Sequence, residues 1–269
     1  GYRVAIISLF QKNQSIKYPI PNCVDVKYII PGTDYSTWRS RFPLFRIGII
    51  ARYALAWATT GKVYDYIRKR GLEEDAVLMC NSYLNTPLYK ISRVKIIGLD
   101  HSRYPFGDLQ GLHLWLHTIM VRQFDAVTTL NYNEQEKWNR LKRPVYVIPN
   151  FIPKLQQPHG KYEKSKVILS IGRMDTEQKG FDRLIEAYSL IAAKHEDWKL
   201  KIFGSGKHQC RYRQMVEEKG LEHYIEINDY TEHPELQYQK AAIYAMCSRE
   251  EGFSMVLIEA GINYCPLIA

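Results

Sequence analysis

Apolar residues in this chain fall into short runs, separated by stretches in which they recur every third or fourth position. In the second half the runs are Lys166–Ile171, Trp198–Phe203, Tyr224–Ile227, Ala242–Cys247 and Pro266–Ala269, short and rich in β-formers. Helical spacing fills Phe181–Lys194, Tyr212–Lys219, Pro234–Gln239 and Ser254–Gly261 between them. Strands alternating with helices predict a parallel sheet covered on both faces. The loops opening at Gly172, Gly204 and Ser248 all follow predicted strands. They should therefore share one edge, beyond the carboxyl ends of the strands, where such sheets bind ligands.

The first half repeats the alternation more faintly. Strands are predicted at Arg3–Ser8, Val26–Ile30, Ala76–Cys80, Val94–Leu99, Ala126–Leu130 and Val145–Ile148, and helices at Arg46–Arg70, Leu109–Arg122 and Asn133–Arg140. The segment Pro149-Asn150-Phe151-Ile152-Pro153, followed by the polar stretch Lys154–Lys164, reads as a linker. It divides the chain into domains at 1–152 and 153–269, and no internal repeat or low-complexity tract interrupts either.

Composition fits this picture and narrows it. At 269 residues and 46% hydrophobic, the chain can give each of two domains its own core. No run of eighteen or more uncharged apolar residues marks a spanning helix. The opening Gly1-Tyr2-Arg3-Val4-Ala5-Ile6-Ile7-Ser8 reads as a strand rather than a signal peptide. Cys23, Cys80, Cys210, Cys247 and Cys265 are scattered without metal-ligand spacing, which predicts buried thiols in a reducing cytoplasm.

Charge is lopsided. Residues 1–152 hold 21 Lys and Arg against 11 Asp and Glu, a net of +10, whereas residues 153–269 hold 16 against 17, a net of −1. A basic first half points to an anionic partner. Arg39, Arg41, Arg46, Arg52, Lys62, Arg68, Lys69 and Arg70 lie among Phe42, Phe45, Tyr53 and Trp57. Two readings of this stretch stand side by side: a helix lying on anionic lipid, or an amphipathic helix packed on the sheet with a solvated basic face. No nucleic-acid-binding motif accompanies the charge.

Candidate chemistry concentrates in the second half. After the run ending at Cys247 comes Glu251-Gly252-Phe253-Ser254-Met255-Val256-Leu257-Ile258-Glu259, with one carboxylate in a loop and a second inside the next predicted helix. Carboxylates accept from vicinal hydroxyls, and the N–H groups opening a helix suit phosphate. Gly172-Arg173 and Lys179-Gly180 supply two cations from another strand-to-helix loop, a clamp for a diphosphate. Hydroxyls plus diphosphate point to a nucleotide sugar. Gly204-Ser205-Gly206 is either a tight turn or a place where a nucleotide approaches backbone. His101 ends a predicted strand of the first domain and is either a buried or a functional histidine.

These motifs resemble glycosyltransferase family 4, carried by Gly172-Arg173…Lys179-Gly180-Phe181-Asp182, Phe203-Gly204-Ser205-Gly206 and Ser248-Arg249-Glu250-Glu251-Gly252-Phe253-Ser254-Met255-Val256-Leu257-Ile258-Glu259-Ala260. In the first half Ile96-Ile97-Gly98-Leu99-Asp100-His101 and Val147-Ile148-Pro149-Asn150 are similar to bacterial members that build capsule, exopolysaccharide or O-antigen. The resemblance implies a retaining transferase of GT-B fold: two Rossmann-like α/β domains facing a cleft, the first on the acceptor side and the second binding the donor. Glu251 would bind donor-sugar hydroxyls and Glu259 the ribose. Arg173 and Lys179 would neutralise the leaving diphosphate, backbone at Ser254-Met255-Val256 would add donors, and His101 would contact the sugar.

It also implies no metal or other cofactor, with a nucleotide sugar, expected to be UDP-linked, as donor. The acceptor would be a glycan carried on a polyprenyl diphosphate, reached from the cytoplasmic face of an anionic membrane and without any nucleic-acid partner. A soluble acceptor, or a noncatalytic nucleotide-sugar-binding subunit, are the alternatives. Family members usually open with one more strand and a Gly-rich turn, and continue past Pro266-Leu267-Ile268-Ala269, so the resemblance implies a chain truncated at both ends.

Overall fold

The computed structural model describes residues 3–10, 20–30, 45–72, 75–80, 89, 93–100, 111–139, 142–150 and 163–269. The chain divides into two units, Gly1–Pro149 and Asn150–Ala269. Residues 151–162, most of the expected linker, lie outside the described residues, as do Arg39 and Arg41 of the basic stretch.

In the first unit, β1 (Ala5–Phe10) pairs in parallel with β2 (Asp25–Ile30). A second parallel sheet contains β3 (Val77–Cys80), β4 (Lys95–Asp100), β5 (Ala126–Thr129) and β6 (Val145–Val147), in sequential order. Helix α1 (Phe45–Arg68) buries Ala56, Thr59, Thr60, Val63, Tyr64 and Ile67, a stripe at helical spacing. Val63, Tyr64 and Ile67 pack with Ile29 and Val94. The carboxyl half of α1 is therefore a packed helix with Lys62, Arg68, Lys69 and Arg70 on or beside its exposed side, and Arg70 bridges to Asp25 at 2.5 Å. Helix α2 (Gly111–Val121) and α3 (Tyr132–Asn139) bring Val121 and Trp138 onto Ile96 and Val127. Among the described residues no helix is long and apolar enough to cross a membrane.

The second unit is one parallel sheet of β7 (Ser165–Ile171), β8 (Lys199–Phe203), β9 (Ile225–Asn228), β10 (Ala241–Ala245) and β11 (Leu267–Ile268), in spatial order β11-β10-β7-β8-β9. Strand side chains alternate between faces, so β7 sends Ile168 to one core and Leu169 to the other. Helices α4 (Phe181–Ser189) and α5 (Gln209–Glu218) cover the first face, burying Leu184, Ile185, Tyr212 and Val216 against Leu200 and Ile202. Helices α6 (Pro234–Lys240) and α7 (Met255–Ile262) cover the second, where Tyr238 and Ala260 meet Leu169 and Tyr244. Each such aliphatic side chain contributes about 1.5–3 kcal/mol on burial, which holds the loops between these elements to a rigid frame.

Three expectations change. The helix foreseen over Phe181–Lys194 ends at Ser189, and the following turn tightens to a 3-10 helix at Ala192–Lys194 through bonds such as Lys194 N–H to Ile191 O, 3.0 Å. Helix α5 begins at Gln209, three residues before the apolar spacing becomes visible. Among the cysteines only Cys80 and Cys265 are buried; Cys247 is half-buried, while Cys23 and Cys210 are exposed, because neither lies on a core-facing position.

Candidate functional site in the second unit

Strand order in the second unit reverses at β7: the chain moves outward through β8 and β9, then returns to the other side of β7 with β10 and β11. The connecting helices change face at the same point. In sheets of this kind the loops leaving the strands on either side of such a reversal diverge to opposite faces, and ligands bind between them. Here the loops leaving β7 and β10 carry Gly172-Arg173…Lys179 and Ser248…Glu251. The sequence motifs thus fall on either side of the topological switch point.

The two loops are tied together. Lys179 Nζ donates to Glu251 Oε1 at 2.5 Å, with the two side chains 22% and 20% exposed. Ser248 Oγ donates to the same oxygen at 2.7 Å. One carboxylate oxygen of Glu251 is anchored twice, and Oε2 has no partner among the described residues. Gly172 sits under this pair: a Cβ there would lie 3.2 Å from Lys179 Cγ and from the ring of Phe181. Gly180 follows Lys179 at φ +66°, and a Cβ would come 1.9 Å from the carbonyl oxygen of Cys247, so only glycine lets this turn touch the end of β10.

Arg249 completes the tie, and the sequence did not single it out. Its guanidinium forks onto both carboxylate oxygens of Asp182, at 2.9 and 2.5 Å, and donates to Glu177 O at 2.6 Å. The Arg249 backbone N–H donates to Gln178 O at 2.7 Å, and Gln178 Nε2 returns a bond to Glu250 O at 2.9 Å. The hydrogen bonds from Arg249 hold the Asp182 carboxyl below the usual carboxylate range and raise the guanidinium. Glu177 is in turn paired with Arg211 on α5. The signal was available: Arg249 is two residues from Glu251, and Asp182 is three from Lys179. Glu250 is exposed.

Arg173 is exposed and makes no ion pair or hydrogen bond among the described residues, so the two loop cations differ: one is committed to Glu251, the other is available. Gly204 and Gly206 lie in the β8 loop. A Cβ on Gly204 would meet the carbonyl oxygen of Gly172 at 1.9 Å, so close packing of the β7 and β8 loops is sufficient reason for that glycine. Ser205 O accepts from Met174 N–H, and Ser205 Oγ accepts from Tyr230 N–H, at 3.0 and 3.1 Å, joining these loops to the one after β9.

Ser254 precedes α7 but does not cap it; its hydroxyl faces Met246 Sδ at 3.0 Å. The first N–H groups of the helix, at Met255 and Val256, keep their capacity to donate, with the positive end of the helix behind them. On the same helix Glu259 Oε2 accepts from the Tyr238 hydroxyl at 3.2 Å. Burial drives the Tyr238 phenol, and that of Tyr244, well above the usual tyrosine range. His101 lies outside the described residues; its neighbour Asp100 ends β4, buried, and accepts from Trp138 Nε1 at 2.5 Å. Among the described residues no three His, Cys, Asp or Glu side chains are grouped as metal ligands would be.

Known proteins resemble this chain in sequence and in fold. Residues 151–269 match the family model "Glycosyl transferases group 1". An uncharacterized glycosyltransferase of Haemophilus influenzae is 29% identical over 178 residues, covering 65% of this chain and 50% of that protein. An N-acetylgalactosamine-N,N'-diacetylbacillosaminyl-diphospho-undecaprenol 4-alpha-N-acetylgalactosaminyltransferase of Campylobacter jejuni is 33% identical over 105 residues, 39% of this chain and 28% of that protein. The chain thus spans half or less of the length of these relatives. Among solved structures, a mutant of S. aureus TarM in complex with Fondaparinux, alpha-GlcNAc-glycerol and UDP superposes with a TM-score of 0.62 at 21% identity, over 75% of this chain and 43% of that one. The fold is of the GT-B type, and over residues 151–269 the sequence is similar to the glycosyl transferases group 1 family.

Proposed function

We propose that this chain belongs to a retaining glycosyltransferase that moves a sugar from a UDP-linked donor onto a growing, polyprenyl-diphosphate-linked glycan. The observation that carries the reading is the Lys179–Glu251 pair bridging the two loops at the β7–β10 switch point, beside the uncapped start of α7. The loops after β7 and β10 carry a carboxylate oxygen for sugar hydroxyls, a guanidinium without a partner among the described residues, an ammonium and the opening N–H groups of α7. A nucleotide sugar needs each of these.

In this reading Arg173, Lys179 and the N–H groups of Met255 and Val256 stabilise the charge that develops on the diphosphate as the glycosidic bond breaks. They take the place of a metal ion, so chelators leave the activity unchanged. Glu251 orients the sugar through Oε2, and Glu259 holds the ribose. With no side chain placed as a nucleophile among the described residues, the acceptor hydroxyl attacks on the face of the departing diphosphate and passes its proton to it. His101 contributes to recognition of the sugar. UDP in the TarM complex and the undecaprenol-linked acceptor of the Campylobacter relative support the donor and acceptor classes. The net charge of +10 in residues 1–152 supports work at the inner, anionic face of a membrane, as a peripheral protein.

The test is calorimetric binding of UDP, GDP and ADP to the protein and to its Glu259→Ala and Arg173→Ala variants. UDP is expected to bind and to lose about tenfold or more in each variant, the loss of one charge-assisted contact. Absence of binding by all three nucleotides would sink the reading.

A further inference from the structure

The two carboxylates of the site share a mode of attachment. Glu251 is anchored through Oε1, by Lys179 and Ser248. Glu259 is anchored through Oε2, by the Tyr238 hydroxyl at 3.2 Å. In each the second oxygen has no partner among the described residues. A carboxylate held by one oxygen has its remaining lone pairs fixed in direction, which a freely rotating glutamate does not.

We infer that Tyr238 is a positioning residue that aims Glu259 at a vicinal diol, so that this buried phenol sets the preference of the site for a ribonucleotide. The inference rests on the proposed nucleotide-sugar site. Tyr238 suits the task. It is 1% exposed, and its ring stands edge-on to Tyr244 with centroids 5.5 Å apart, so the hydroxyl cannot wander. Burial also keeps the phenol protonated at any working pH, and a neutral phenol beside a carboxylate can only donate.

The next residue strengthens the support. Gln239 Nε2 donates to Asn263 Oδ1 at 3.0 Å, and Asn263 Nδ2 donates to Glu259 O at 2.9 Å. Helix α6 thereby holds both the side chain and the backbone of Glu259 through consecutive residues. Lys164, just before β7, donates from Nζ to Tyr238 O at 3.1 Å and ties α6 to the sheet as well. With Oε2 occupied by the Tyr238 hydroxyl, Oε1 is left as an acceptor for a ligand. A 2′,3′-diol can satisfy it, whereas a ribose lacking those hydroxyls leaves a partly buried charge without its bond.

The experiment compares UDP with 2′,3′-dideoxy-UDP by calorimetry, with the guanosine and adenosine pairs alongside, on the full chain and on Tyr238→Phe, Glu259→Ala and the double variant. Phenylalanine keeps the ring packing and removes only the hydroxyl. The unmodified protein is expected to favour the diol about tenfold, and Tyr238→Phe to lose about three- to tenfold on the diol nucleotide with the dideoxy analogue unchanged. The double variant should bind no worse than Glu259→Ala alone. Equal losses on both nucleotides would mean that Tyr238 is merely structural, and an unchanged preference would mean it does nothing for Glu259; either overturns the inference. So would an unmodified protein that binds both nucleotides alike, although the site reading then survives. Failure to bind any nucleotide removes the site reading and the inference together.

Discussion

The two units are built from the same parts and differ in where chain order reverses. In the first unit β3 to β6 run across the sheet in sequence, so among the described strands of that sheet the connections proceed in one direction. In the second, the order β11-β10-β7-β8-β9 reverses at β7, the kind of switch point at which open parallel sheets bind ligands. Charge divides the same way. The first half carries a net of +10, with Lys62, Arg68, Lys69 and Arg70 at the surface, while the second is near neutral. Lys179–Glu251 and Arg249–Asp182 join the β7 and β10 loops at that switch point. The lesson is that topology gathers the motif residues at one edge, whereas bulk charge marks only a surface.

The sharpest break of that contrast is at Lys179. Lys179→Ala removes one of the two anchors of Glu251 and a cation proposed for the diphosphate, and turnover with a nucleotide-sugar donor should fall about 10²- to 10³-fold. A drop of less than about tenfold would mean that the pair is not at the chemistry.

Arg249→Leu comes next. It loosens the tie between the two loops, and nucleotide affinity should fall about tenfold as both loops gain freedom that binding must then remove. Calorimetry on the intact chain checks it; unchanged affinity would separate the clamp from the site.

Asp182→Asn tests the same tie through pH. The Asp182 carboxyl is held below its unfolded value, so the stability it contributes is present above about pH 4 and is lost as pH falls through the depressed folded value. The variant should melt about 2–4 °C below the unmodified protein at neutral pH, and the gap should close in acid. A gap that persists at low pH would assign the loss to packing rather than to charge.

The smallest effect belongs to the first unit. Replacing Lys62, Arg68 and Lys69 by Gln should change nucleotide affinity by less than about twofold, since exposed charges are screened within about 8 Å at physiological salt. It should weaken binding to anionic vesicles about tenfold or more, at about 1 kcal/mol for each basic residue near the surface. Undiminished vesicle binding would detach the basic surface of α1 from any membrane role.

Much of this molecule was legible in the sequence, and the reason is physical. Short apolar runs ending in glycine or serine marked β7, β8 and β10, and parallel pairing then required their loops to share an edge. Glu251, Lys179 and Gly172 came together as parallel pairing requires. Periodicity carried no information on how they are held. Arg249, Asp182 and Gln178 look like surface residues in the sequence, and they act through a fork and a backbone carbonyl that only the folded turn at Gly180 brings within reach. Tyr238 was equally silent, since its spacing marks it as core and its hydroxyl has a role only once α6 packs beside α7. Gly204 shows the opposite limit, a motif residue explained by the carbonyl of Gly172 alone.

A nucleotide diphosphate held by the loops after β7 and β10 is the central claim, and a crystal structure of the chain with UDP tests it most directly. The diphosphate is expected at the start of α7, with Arg173 and Lys179 nitrogens about 2.7–2.9 Å from its oxygens and the ribose hydroxyls on Glu259. UDP bound away from the β7–β10 crevice, or bound there without Lys179 and Glu259, would contradict it.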